Sequence, residues 1–178
     1  MRAPWPRPWP NAARAGHLRG AAGGNGPARA PGRGAEQRPH PGQPGHLDRL
    51  FLGAQAAGRI MLDQGFGAIV NLTGITGQIG LTDTGLAGPE AAAVGMLTRT
   101  MACEWGGSGI RANALAAGLV EGDAPTLLPR VPLRRMARPA EIAAVAAFLL
   151  SPAAGFISGS IVPVDGGLSA HGGLDFCG

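Results

Sequence analysis

Few side chains in this 178-residue sequence could carry chemistry, and two kinds are missing outright. There is no Tyr, and all 15 cationic residues are Arg, so there is no Lys. No phenol can act as general acid, and no side-chain amine can form a Schiff base, hold a P-loop phosphate or lower a neighbour's pKa. The residues that remain fall into a few constellations. Ser169 and His171 lie near Asp165, the residue types of a nucleophilic triad, but on a Gly-rich stretch that makes a poor rigid frame; chance proximity is expected. Asp83, Glu90, Glu121 and Asp123 share no metal-ligand spacing with the four His, so loop or cap roles are expected of them. Arg130, Arg134, Arg135 and Arg138 could bind an anion, with solvated charge as the simpler reading. Gly20, Gly24 and Gly26 reproduce a GxxxGxG spacing that would let backbone amides approach a pyrophosphate. That motif needs a strand before it and a helix after it. Here no β-branched residue precedes it, and Pro27 and Pro31 stand where the helix should run, so the spacing is a decoy.

Charge divides the chain into two unlike pieces. The formal net charge is +4 and the pI is about 10.9. Residues 1–47 hold seven Arg and one acid, Glu36, a balance of +6; residues 48–178 hold eight Arg and ten acids, a balance of −2. The basicity therefore belongs to the first quarter and argues against a folded nucleic-acid surface. That quarter contains nine Pro and nine Gly but no Ser, Thr, Val or Ile. Trp5-Pro6-Arg7-Pro8-Trp9-Pro10 forbids helix and favours an extended path, so residues 1–46 are expected to be a disordered tail. The tail is Arg-rich and acid-poor like a transit peptide, yet neither amphipathic nor Ser-rich. Two Cys, Cys103 and Cys177, are too few for a disulfide framework. No apolar run approaches the roughly 18 residues that span a bilayer, and the expectation is a cytoplasmic protein without membrane contact.

The elements that must position any site begin near Leu47. Phe51 to Gln64 reads as a helix ending at Gly65, and Gly67 to Leu72 as a short buried strand of the parallel type. A helix from Ala87 to Trp105 carries Val94, Leu97, Met101 and Trp105 as one apolar stripe. Ile110 to Leu115 is the next strand, and residues 117–138 form an irregular loop with three Pro. Pro139 opens a helix with Ile142, Val145 and Leu149 on one face; Ser160 to Val164 is a last strand before an Asp165-Gly166-Gly167 turn. Helices alternating with apolar strands at this spacing predict an α/β layered sheet.

Four segments in this order carry a resemblance: GAIVNLTGITG (67–77), MLTRTMACEWGGSGIRANALAAG (96–118), RVPLRRMARPAEIAAVAAFLLSPAAGFISG (130–159) and SIVPVDGG (160–167). Together with FLGAQAAGRIM (51–61) they resemble the C-terminal half of the short-chain dehydrogenase/reductase family. The resemblance implies a partial Rossmann-like, doubly wound parallel sheet over residues 47–172. It also implies that the N-terminal nucleotide-binding half is missing, so that the chain reads as a truncated domain, with residues 173–178 as a C-terminal tail.

In active members of that family an Asn, a Ser, a Tyr and a Lys three residues past the Tyr form the working set. The Tyr exchanges a proton with the substrate while a nicotinamide exchanges hydride. The Lys lowers the Tyr pKa and holds the cofactor ribose, and the Ser bonds the reacting oxygen. Aligned on AAAVGMLTRTMACEW, the Tyr position falls on Leu86, the Lys position on Glu90, the Ser position on Thr73 or Gly74, and the Asn position on His46. An aliphatic residue thus stands for the acid and an anion for the cation. Thr73 keeps an equivalent hydroxyl, although a Thr in such a place more often bonds backbone in a turn.

The family's TGxxxGxG loop, adenosine selector and Asn-Asn-Ala-Gly strand are not found in this sequence. Gly118 and Val120 match residues that touch nicotinamide in relatives, while Asn113 is expected to serve backbone hydrogen bonding. The resemblance implies NAD or NADP as cofactor, with binding by this chain in doubt. It implies a homo-oligomer, or a hetero-oligomer with an intact family member, because the helices matching 51–64 and 87–105 pack between subunits in relatives. Three expectations follow: an oxidoreductase by family that is inactive on its own, an interaction module, or a frameshifted gene remnant.

Overall fold

The computed structural model describes residues 46–170 apart from Asp83. Residues 1–45 of the expected tail, with the Gly20/Gly24/Gly26 spacing, and Asp83, His171 and Cys177 lie outside the described residues, while His46, the last of that tail, belongs to a helix. Three α-helices and three strands follow one another as α1 (His46–Gln64), β1 (Gly67–Gly74), α2 (Ala87–Trp105), β2 (Ile110–Ala117), α3 (Pro139–Leu150) and β3 (Ile161–Val164), with short 3-10 turns between them. Helix α1 starts at His46, five residues before the expected Phe51; Asp48 sits in its first turn, and its opening backbone finds a tertiary partner in Glu90. It ends as the sequence predicts: Gly65 takes φ +76, a left-handed conformation that favours Gly, and its amide closes on the Met61 carbonyl at 2.9 Å. Helix α2 has the expected bounds. Both β1 and β2 run two residues further than their apolar runs predict, because parallel pairing holds Thr73 and Gly74 opposite Ala116 and Ala117.

The sheet is wholly parallel in the order β1-β2-β3. Side chains alternate across its two faces. Ile69 of β1 and Ile110 and Ala112 of β2 join Ala54 of α1 with Met101 and Trp105 of α2 in one apolar cluster. The intervening residues of β2 point the other way. Arg111 donates to the carbonyls of Leu149 (2.8 Å) and Ser151 (3.0 Å), which end α3. A cation there satisfies orphan carbonyls and complements the negative end of the helix. Helices α1 and α2 therefore cover one face and α3 the other, as in a doubly wound fold. Asn113, fully buried, donates from Nδ2 to the Ile157 carbonyl (2.8 Å) and accepts the Ser160 amide on Oδ1 (3.0 Å). It clamps the segment that enters β3, the backbone role expected of it. Among the described residues no helix is long and apolar enough to cross a membrane.

Candidate functional site

In open α/β sheets ligands bind beyond the carboxyl ends of the strands. Here that edge is formed by Thr73-Gly74, Ala117-Gly118 and Val164-Asp165, brought level by the register Gly74↔Ala117 and Ala117↔Val164. Of the sequence-predicted positions, Thr73 lies at the end of β1 there, Gly118 follows β2 and bonds Val164, and Glu90 lies in the first turn of α2. Thr73 is 3% exposed, and its hydroxyl donates to the Ala91 carbonyl of α2 at 3.3 Å. It sits in β1 rather than in a turn, but its hydroxyl bonds backbone all the same. Next to Ala91, Glu90 turns its Oε1 to the Leu47 amide at 3.1 Å. This links the first turn of α2 to the first turn of α1, where His46 begins the helix.

That contact explains why α1 starts early. The first amides of a helix have no intrahelical partner, and an acidic oxygen placed there supplies both an acceptor and a charge of favourable sign. Leu86 precedes α2 at its N-cap position with no side-chain cap bond, and it is 72% exposed. An aliphatic side chain there can neither cap the helix nor give or take a proton.

The nicotinamide-matching residues are likewise engaged within the fold. The Gly118 amide donates to the Val164 carbonyl at 3.0 Å. A Cβ on Gly118 would lie 2.7 Å from the Asp165 Cα, so the close approach of the two chain segments requires Gly. The Val120 amide donates to Asp123 Oδ2 at 2.9 Å, a bond within the turn 120–123, so Asp123 takes a loop role, one of the two expected of it. Val120 also bridges Ala137, so residues 117–138 are tied down more firmly than an irregular loop would be.

Asp165 accepts the amides of Gly167 (2.9 Å) and Ser169 (2.7 Å). Burial pushes its carboxyl up, but hydrogen bonds from the Ser169 hydroxyl and those amides outweigh this and leave its pKa below the usual value. Asp165 and Ser169 thus form a turn, while His171 lies outside the described residues. Of the arginines, Arg135 is not simply solvated. It makes a bidentate pair with Glu141 at 2.7 and 2.8 Å. Glu141 also accepts the Arg138 amide at 2.8 Å, and the Arg135 bond leads the effects that lower its pKa to about 2.

A shallow pocket of about 110 Å³ lies beside this edge, lined in part by Leu119, Leu133, Arg135, Glu141 and Asp165. Dinucleotide and drug-sized sites occupy roughly 300–1,000 Å³, so this pocket does not fit a whole nicotinamide dinucleotide. The amides of Gly118 and Val120, the positions expected to face a nicotinamide, already donate inside the protein. Among the described residues no group of three or more His, Cys, Asp and Glu is placed to hold a metal.

Sequence reading passes over two polar residues in the strands. Asn71, buried, donates from Nδ2 to Thr98 Oγ1 at 2.8 Å, and Arg111 caps the end of α3. Their signal is present in the sequence: a polar side chain inside an otherwise apolar strand requires a specific partner.

A family model described as enoyl-(acyl carrier protein) reductase matches residues 46–169. Galactitol 2-dehydrogenase (L-tagatose-forming) of Cereibacter sphaeroides is 41% identical over 135 residues, covering 68% of this chain and 53% of its own. The structure of a gluconate 5-dehydrogenase from Burkholderia cenocepacia, in complex with NADP and tartrate, is 34% identical with a TM-score of 0.66. It is matched over 70% of this chain and 53% of that one. A structure described as a short chain dehydrogenase/reductase family protein is 39% identical with a TM-score of 0.62, over 68% of this chain and 53% of that one. The chain spans about half the length of the curated relatives it matches.

Proposed function

The chain belongs to the short-chain dehydrogenase/reductase family, and from that premise we propose that it is an oxidoreductase by descent whose own residues do not turn substrate over. The observation that carries this is the pair at the start of α2. Leu86, at the position matching the family's Tyr, has no ionisable proton, and Glu90, at the position matching its Lys, is an anion hydrogen-bonded to the Leu47 amide. An anion at that place raises rather than lowers the pKa of a neighbouring acid. Neither residue can therefore stand in for the one it replaces, and Thr73 is left as a vestige of the site, its hydroxyl held by Ala91. Gly118 and Val120 keep the family's residue types while their amides serve the fold, so weak or absent NAD and NADP binding is part of the same reading. The test is reduction of a panel of ketones by the purified chain with NADH and with NADPH, beside calorimetric titration of both cofactors. No turnover and no saturable binding are expected. Turnover that survives purification and disappears in Thr73→Ala refutes the proposal.

A second reading, association with itself or with an intact family member, is favoured by apolar side chains left in solvent on α1. Leu52, Ile60 and Leu62 are all exposed there, and a partner would take their apolar surface out of water. Light scattering coupled to sizing tests it, and recovery of monomer alone counts against it.

A further inference from the structure

The two edges of the sheet are unlike. β3 is short, four residues, and carries exposed Pro163, a combination that blunts an edge against further pairing. β1 is eight residues, Gly-Ala-Ile-Val-Asn-Leu-Thr-Gly, with no Pro and no charge. Among the described residues it pairs with β2 alone, so its outer row of amides and carbonyls is open. Leu72, on the face away from α2, is 56% exposed. Within β1 itself there is no bulge, Lys, Pro or inward charge to protect the edge.

What can fill the edge is set by its chemistry, because only another extended backbone matches a row of strand amides and carbonyls. Residues 1–45 of the same chain are ill suited. They contain nine Pro and no Val, Ile or Thr, so they lack the residues strands are built from and, at each Pro, the amide a ladder needs. A second copy presents a strand of the same length, equally free of charge and Pro.

We propose that the open edge of β1 pairs antiparallel with β1 of a second copy, joining two three-stranded sheets into one of six strands. A two-fold axis normal to the sheet preserves its faces, so opposed residues must have numbers of the same parity. Centred on Val70, the pairing sets Ala68 against Leu72 of the partner subunit and Ile69 against Asn71 of the partner subunit. It covers Leu72 and satisfies the outer ladder, and six strands is a usual sheet size. The proposal rests on the reading that the chain associates with itself, and the two fail separately in the test.

The experiment uses the full chain with Cys103 and Cys177 replaced by Ser. Directly opposed residues in an antiparallel pair lie close enough for a disulfide, so Val70→Cys is expected to give a covalent dimer on mild oxidation. Leu52→Cys on α1 reports association through the helices instead. In the wild-type chain, Leu72→Lys is expected to weaken the dimer about tenfold or more in light scattering, as edge charge does, with an unchanged circular dichroism spectrum. Cross-linking at Val70 supports the edge. Cross-linking at Leu52 alone overturns it while leaving self-association standing, and a chain that stays monomeric overturns both. Should Val70→Cys fail to fold, Leu72→Lys decides: a dimer undiminished by that substitution overturns the proposal.

Discussion

Glu90 is the residue at which family chemistry and the stability of this chain pull in opposite directions, and Glu90→Lys measures the conflict. Its carboxylate accepts the Leu47 amide at 3.1 Å, acting as an N-terminal cap supplied from another helix. Losing a capping acceptor costs about 1 kcal/mol. Losing the negative charge at a helix N-terminus costs about 0.3–1 kcal/mol, and placing a positive one there a similar amount again. Glu90→Lys should therefore destabilise by about 1.5–3 kcal/mol. Glu90→Gln, which keeps an oxygen acceptor, should cost only about 0.3–1 kcal/mol. With a urea slope of about 1–3 kcal/mol/M, the Lys variant's midpoint should fall by about 1 M, read by circular dichroism. Hydrogen exchange at the Leu47 amide should quicken in the same order, slowest in the wild type and fastest with Lys. A Lys variant as stable as the Gln variant, or more stable, refutes the capping argument. It would also leave the start of α1 at His46 without a physical cause. The restored cation is thus expected to weaken the domain it would be meant to serve.

Two further outcomes are expected. Asn113→Ala removes both bonds of a fully buried side chain and leaves the Ile157 carbonyl and Ser160 amide without it, so a loss of about 2–4 kcal/mol is expected in urea unfolding; a loss below about 1 kcal/mol contradicts the clamp. Glu141 has a pKa lowered from 4.5 to about 2, so its contribution to stability is present above about pH 4.5 and lost as the pH falls towards 2. Thermal midpoints of Glu141→Gln and wild type should accordingly converge over that window, and a gap that stays constant down to pH 2 shows that the Arg135 pair does not stabilise the fold.

Much of the architecture is legible along the chain because its signals are local. Helix α2 is bounded by an apolar stripe, and the end of α1 by Gly65, whose φ of +76 favours Gly. The extra residues at the carboxyl ends of β1 and β2 are not legible, since small residues such as Gly74 and Ala117 become strand only through each other. The start of α1 is hidden for the same reason, its cap lying 43 positions away. At the candidate site, alignment of motifs names Thr73, Leu86, Glu90, Gly118 and Val120. It cannot tell what each bonds in the folded chain.

Residue types alone determined the missing chemistry, because a chain without Tyr or Lys has neither phenol nor side-chain amine in any conformation. Motif order pointed to the family and to a parallel sheet, because periodicity and turn residues are written locally. Only the tertiary structure decided what the leftover groups do. It turned Glu90 towards the start of α1, tied the Thr73 hydroxyl to Ala91 and drew Gly118 against Asp165. It also left the outer edge of β1 without a described partner. Those outcomes depend on distances between residues far apart in sequence, which only the packing of helices on the sheet sets.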